Sequence, residues 1–279
     1  MSSINEKAIR DCVGRLSQEA NFCLRRDVRQ ALKKAVSAEH NVRARKILSE
    51  LLDNARIAKR DSLALCQDTG MPVVFLEIGP DVNLSGVNVA RSIHMGLAAG
   101  YKKGYLRNSI VSDPLLRGRL GFSPGIIHTV FSTRKGLRIT VFPKGFGCEN
   151  KTRLKMFVPT ASVEDIEKFI VGCVRDAGAD ACPPYVVGIG IGGTSDYACQ
   201  LSKEALLRPL NQRNPRPHVA LLEKRLMKTM NALNIGPMGL GGKTSVLGVN
   251  ILTYPTHMAG LPVCVNISCH VLRSASERL

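Results

Sequence analysis

"ACPPYVVGIGIGGTSD", residues 181–196, admits two readings, and the choice between them decides the fold. The glycines from Gly188 to Gly193 match the GxGxxG pattern of a dinucleotide loop. Such a loop puts its glycines in the turn after a strand, opens a helix, and is followed about 20 residues later by an acid. Here the glycines alternate with apolar residues inside the run itself, and the region around Arg213 reads "NQRNPRP", without an acid. The stretch is therefore a buried strand broken by glycines. Pro183 and Pro184 restrict the backbone before it and hold Cys182 at its mouth.

Working outward, "SVEDIEKFIVGCVRDAG" (162–178) predicts a helix, with Ser162 as its cap, acids in its first turn and Gly178 closing it. "PHVALLEKRLMKTMNALNIG" (217–236) is helical, with Val219, Leu222, Leu226, Met230 and Leu233 on one stripe. "SVLGVNILTY" (245–254) and "LPVCVNISC" (261–269) read as the final strands. Toward the N-terminus, residues 4 to about 60 read as helices, with apolar positions at Ile9, Val13, Leu16, Val28, Leu32, Ile47, Leu51 and Leu52. "MPVVFLEIG" (71–79) is a strand and "GVNVARSIHMGLAAGYKK" (86–103) a helix. "GIIHTVFS" (125–132) and "LRITVFP" (137–143) are strands that the turn "TRKG" predicts to form a hairpin. The class is mixed α/β: a helical N-terminal region followed by mixed β-sheets flanked by helices. One domain over residues 1–279, with a helical lead-in over about 1–62, is expected.

The 279 residues include 39 Lys and Arg against 22 Asp and Glu, a formal charge of +17. Such a surplus attracts nucleic acid, an anionic substrate or an acidic partner. Aromatic residues are few and are not interleaved with the basic ones, which weighs against a base-stacking surface. A nucleic-acid-binding or scaffold protein remains the rival from another class. No apolar run spans a bilayer and the N-terminus lacks a secretory core, so a cytoplasmic protein is expected, without a membrane partner. The nine cysteines are odd in number and form no CxxC pair, which argues against a disulfide framework and a zinc ribbon. "GPMGLGGKTS" (236–245) looks like a phosphate loop, but Pro237 stands where its first glycine belongs and the stretch follows a helix.

Several short segments carry chemistry. "CQDTGMP" (66–72) sets a thiol, an amide, a carboxylate and a hydroxyl side by side. Its Asp, Thr and Gly suit a capped turn, which leaves Cys66 and Gln67 unexplained. "YLRNSIVSDPL" (105–115) offers Arg107, which can grip a carboxylate in a fork. "FPKGFGCENK" (142–151) ends a strand in glycines whose exposed N–H groups make an anion nest. "THMAGLPVCVNISCHVLR" (256–273) holds His257, Cys264, Cys269 and His270. Three thiols on separated turns, Cys66, Cys182 and Cys269, fit an iron–sulfur cluster. Three ligands rather than four leave one iron open as a Lewis acid.

At "CQDTG", "KGFGCENK", "ACPPYVVGIGIGGTSD", "LNIGPMGLGGKTS" and "THMAGLPVCVNISC", in that order, the chain resembles the iron–sulfur hydro-lyases: class I fumarate hydratases and L-tartrate dehydratases. The likeness runs from about residue 40 to the C-terminus, and the length is that of a separate α subunit. The resemblance implies a [4Fe–4S] cluster on Cys66, Cys182 and Cys269, and substrate contacts from Gln67, Arg107 and Gly147. It implies Asp68 and His257 as catalytic groups, a small dicarboxylate substrate, and a β subunit that completes the site in a heterodimer or an α2β2 assembly. Hydration of fumarate to (S)-malate is the expected reaction, with dehydration of L(+)-tartrate as the alternative. Cys148 stands where the family has serine and Cys264 where it has a small residue.

Overall fold

The computed structural model describes residues 4–279. Among these residues the chain forms eight α-helices and ten strands. In order they are α1 (Glu6–Phe22), α2 (Arg26–Ala38), α3 (Val42–Asp61), β1 (Met71–Ile78), α4 (Val89–Lys103), β2 (Ile110–Asp113), β3 (Arg117–Gly121), β4 (Ile126–Phe131) and β5 (Leu137–Lys144). Then come α5 (Phe146–Glu149), β6 (Arg153–Phe157), α6 (Val163–Ala177), β7 (Tyr185–Gly193), α7 (Ser195–Ala205), α8 (Pro217–Asn231), β8 (Val246–Thr256), β9 (Leu261–Ser268) and β10 (Ala275–Arg278). No described helix is long and apolar enough to cross a membrane.

The chain divides into two compact units. The first comprises Met1–Arg25, Asn54–Phe146 and Arg273–Leu279; the second comprises Arg26–Asp53 and Gly147–Leu272. The helical start is shared out: α1 lies in the first unit, α2 in the second, and α3 carries residues of both.

The first unit holds a sheet in the order β10-β5-β1-β4. β1 is its central strand, with Val73, Val74, Phe75 and Leu76 all buried, because an uninterrupted apolar run suits a strand covered on both faces. It runs parallel to β4 and antiparallel to β5. The hairpin expected at "TRKG" is therefore absent: β1 lies between the two strands that the turn connects. α1 and α4 pack on this sheet around Ile9, Val13, Leu16, Ile93 and Leu97. They approach closely because Gly96 and Gly100 face α1; a Cβ on Gly96 would lie 2.5 Å from the Arg10 carbonyl oxygen. The pair β2–β3 forms a separate two-stranded sheet.

The second unit holds a sheet in the order β6-β9-β7-β8. β7 is parallel to β8 and antiparallel to β9. The glycines of β7 have a packing cause. A Cβ on Gly188 would lie 2.2 Å from the Ser202 carbonyl oxygen, and one on Gly190 2.1 Å from that of Ala198. α7 therefore lies directly on β7, and "GIGIGG" is a bed for a helix rather than a nucleotide loop. α6 begins with a full capping box between Ser162 and Asp165, and Gly178 ends it at φ 53. It packs with α8 on the core of Ile170, Val174, Leu226 and Met230.

Candidate active site

In the first unit the segment from Leu65 to Gly70 is neither helix nor strand, yet every residue but two is fixed by a named contact. The Leu65 N–H donates to the Asn21 carbonyl at 2.9 Å, and Asn54 Nδ2 donates to the Leu65 carbonyl at 3.0 Å. Tyr101 Oη donates to the Thr69 carbonyl at 3.0 Å. Thr69 Oγ1 accepts from the Arg107 N–H at 3.1 Å and donates to the Arg107 carbonyl at 3.2 Å. Asp68 accepts the Gly70 N–H on one carboxylate oxygen at 2.9 Å and the Phe146 N–H on the other at 2.8 Å. Gly70 takes φ 73, and a Cβ there would meet the Lys144 backbone at 2.9 Å. Only glycine suits that position.

Cys66 and Gln67 are the two left to face outward: Cys66 is half-buried and Gln67 exposed. The Cys66 thiol donates to Gln67 Oε1 at 3.4 Å. The turn thus brings Cys66, Gln67, Asp68 and Arg107 into one region, with the Arg107 side chain exposed.

In the second unit, β7 and β9 run antiparallel with Val186 opposite Ser268. The start of β7 and the end of β9 therefore meet at one end of the sheet. Cys182 precedes the first strand and Cys269 follows the second. A hydrogen bond ties the two segments: His270 Nδ1 lies 3.0 Å from the Cys182 carbonyl oxygen. A carbonyl only accepts, so Nδ1 carries the proton. Cys182 is exposed and sits at φ 58, a left-handed conformation that costs a non-glycine residue about 1–2 kcal/mol. Cys269 is half-buried. Cys148, buried in α5, donates its thiol hydrogen to the carbonyl of Ala181, next to Cys182, at 3.4 Å.

Burial separates Cys12, Cys23, Cys173 and Cys264 from these. It pushes the Cys12 thiol up to about 12, Cys173 up to about 11 and Cys264 up to about 12. It also raises Cys23. A metal takes the thiolate, so these groups, protonated at neutral pH, are poor ligands. Cys264 also accepts a hydrogen bond from Ser202 Oγ at 3.4 Å, wholly inside the fold.

Among the described residues no three His, Cys, Asp or Glu side chains gather as a metal site. Cys66 belongs to the first unit, and Cys182 and Cys269 to the second. Taken one by one, none of the three thiols is fully buried, thiolate is the usual donor to an iron–sulfur group, and the one at Cys182 is presented by a strained residue.

His257 lies elsewhere. It follows β8, whose end pairs with the end of β7, Gly193 opposite Thr256. The length of β7, at roughly 3.3 Å per residue, puts about 26 Å between that end and the Cys182 end. There His257 lines an open cavity of about 550 Å³ with Thr194, Tyr197 and Tyr254, the two rings meeting edge to face at 4.7 Å. Gly147 is exposed in α5, and a Cβ on it would touch nothing. Sequence reading passed over Phe146, whose N–H holds Asp68, and Arg273, buried beside the same turn with Nη2 donating to the Asp68 carbonyl. A lone arginine after "NISCHVL" carries no local signal.

The fold is a mixed α/β scaffold that sets outward-facing thiols on turns, with polar groups beside them. The comparisons narrow this. The family described as "Fumarate hydratase (Fumerase)" matches residues 10–278. A Methanocaldococcus jannaschii protein named "Putative L(+)-tartrate dehydratase subunit alpha" is 39% identical over 278 residues, covering 97% of each chain. The L(+)-tartrate dehydratase subunit alpha of Escherichia coli K12 is 32% identical over 247 residues, 87% of this chain and 81% of the relative. The chain belongs to the fumarate hydratase family and is a hydro-lyase.

Proposed function

We propose that this chain is the α subunit of an iron–sulfur fumarate hydratase, interconverting fumarate and (S)-malate with a β subunit that completes the site. The observation that carries the reading is the meeting of the Cys182 and Cys269 segments at one end of β7 and β9, tied by the His270 hydrogen bond. Cys66, Cys182 and Cys269 would hold a [4Fe–4S] cluster. When bound, the cluster supplies a Lewis acid for the hydroxyl that leaves. Gln67 would contact the substrate and Arg107 would grip one of its carboxylates. Gly147 contributes backbone in the loop that follows. Asp68, with both oxygens taken by backbone N–H groups, fixes the turn and orients the proton transfer rather than supplying a mobile proton. His257, about 26 Å along β7 by the same rise per residue, serves the proton chemistry only where a second chain brings it to a cluster site. The surplus of positive charge favours a dianion at short range. The expected setting is cytoplasmic.

Dehydration of L(+)-tartrate is the second reading, favoured by the names of the relatives. The test is anaerobic assembly of the chain with its β partner, reconstitution with iron and sulfide, and parallel assays on fumarate, (S)-malate and L(+)-tartrate. Turnover of fumarate and malate at least tenfold above tartrate supports the first reading, and the reverse ratio supports the second. A colourless assembly without iron or sulfide sinks both.

A further inference from the structure

Arg273 is 3% exposed and forms no ion pair with a carboxylate among the described residues. Its Nη2 donates to the Asp68 carbonyl, while Nε and Nη1 are buried with no acceptor. Arg208, whose side chain is 11% exposed, makes the contrast. Arg208 lies against the carboxylate of Glu223 and donates to Asn250 and to the Ile251 carbonyl. A buried cation without a counter-anion is among the most costly features a fold can hold. The nearby acid, Asp68, turns its two carboxylate oxygens to the Gly70 and Phe146 N–H groups and makes no ion pair with the guanidinium. Burial pushes the Tyr101 hydroxyl up to about 12, and beside that larger effect the Arg273 charge lowers it and the Asp68 charge raises it.

Two inaccessible guanidinium nitrogens, Nε and Nη1, and a full positive charge thus lie beside the turn that presents Cys66. We propose that Arg273 is a positioning residue for the iron–sulfur group: its guanidinium ties the Cys66–Gly70 turn through the single Nη2 bond to the Asp68 carbonyl, and its charge offsets the negative charge that the cluster and its thiolates bring. The inference rests on the cluster reading of the proposed function. Its consequences follow from what sets the properties of such a group, namely net charge and hydrogen bonds around the sulfurs.

The test compares wild type, Arg273→Met and Arg273→Lys in the reconstituted complex with the β partner. Arg273→Met removes a buried charge and keeps volume, so the apo chain melts at or above the wild-type temperature. Its cluster has a lower midpoint reduction potential, because a fixed positive charge has gone. Iron passes to a chelator about 10-fold faster. KM for (S)-malate stays within about twofold of wild type, since the group does not touch substrate. Arg273→Lys keeps the wild-type potential but loses iron faster, because it keeps the charge and loses the guanidinium. An Arg273→Met complex with unchanged potential and unchanged iron loss overturns the proposal. So does a KM raised more than about tenfold at unchanged potential, which would make Arg273 a substrate group. Should Arg273→Met not fold, Arg273→Lys decides: a potential that falls with it overturns the charge role. A wild-type complex that takes up no iron removes the cluster reading itself, which is a separate failure.

Discussion

Two glycine-bearing loops, one in each unit, are built around a carboxylate. In the second unit, the loop from Gly236 to Lys243 looks like a phosphate loop but wraps Glu39, which is 4% exposed. Glu39 Oε1 accepts the His40 and Asn41 N–H groups, each at 3.0 Å, and Oε2 accepts the Lys243 N–H at 2.7 Å. The anion at this nest belongs to the chain itself, so nothing remains for a ligand. In the first unit, the Cys66–Gly70 turn also closes on a carboxylate, that of Asp68, but it leaves an outward thiol, an exposed amide and the unspent N–H groups of Arg273. A loop that satisfies every polar group is structure, whereas one that leaves donors and a thiol unspent is a place for chemistry.

The comparison breaks most sharply on the cysteines. Cys182→Ser is expected to abolish activity and to lower iron per protein in the reconstituted complex by at least one equivalent, with the apo melting temperature unchanged. Full iron and sulfide in that variant would falsify the ligand assignment. His257→Ala, altered at the far end of β7, is expected to keep its iron in full. Iron loss there would mean that the two ends of the sheet are not independent.

Glu39→Ala tests the other loop. Three backbone N–H groups lose their acceptor, which costs about 3 kcal/mol of stability, since each stranded donor costs about 1–3 kcal/mol and water recovers part. Denaturant unfolding checks the size. Iron content per folded chain should not change. A stable variant that no longer binds iron would give the loop a role in the site and erase the contrast.

Much of the fold was legible in the residues, because helices such as α4, α6 and α8 write a stripe and strands such as β1 and β9 write an apolar run. What escaped was tertiary. α7 buries only Ala198, Leu201, Ser202 and Ala205, a weak stripe that has meaning only against the glycines of β7. The turn between β4 and β5 has the sequence of a hairpin, but β1 enters between the strands, and no local pattern records that. β6 and β10 are short and take their pairing from longer strands. The cysteine segments were legible as a family resemblance in fixed order. Arg273 was not, since its burial and its missing partners exist only once the chain has folded.

Gly70→Ala sharpens the account of the turn. A methyl at φ 73, set 2.9 Å from the Lys144 backbone, forces the strand end or the turn to move. The expected cost is about 3 kcal/mol, left-handed strain and overpacking together. The Cys66 turn should lose protection from hydrogen exchange before the second unit does. Equal loss in both units would show that the turn is not a local device.

The smallest effect comes from Glu77 in the sheet of the first unit, where the charges are spent as fully as in the Glu39 loop. Partial burial pushes this carboxyl up. Hydrogen bonds from Ser132 and Arg278, with the charge of Arg138, outweigh that and hold it below its ordinary value of 4.5. A depressed pKa contributes stability above the unfolded value, and that contribution is lost as pH falls through the folded one. Glu77→Gln should therefore melt slightly below wild type near neutral pH, by less than about 1 kcal/mol for a pair this open to solvent. The gap should close as pH falls below about 4.5 through the lowered folded value, beyond which both proteins carry a neutral group. A gap that stays constant through that range would assign the effect to hydrogen-bond geometry instead of charge. The first unit's reserve of unspent polarity would then lie wholly at the Cys66 turn.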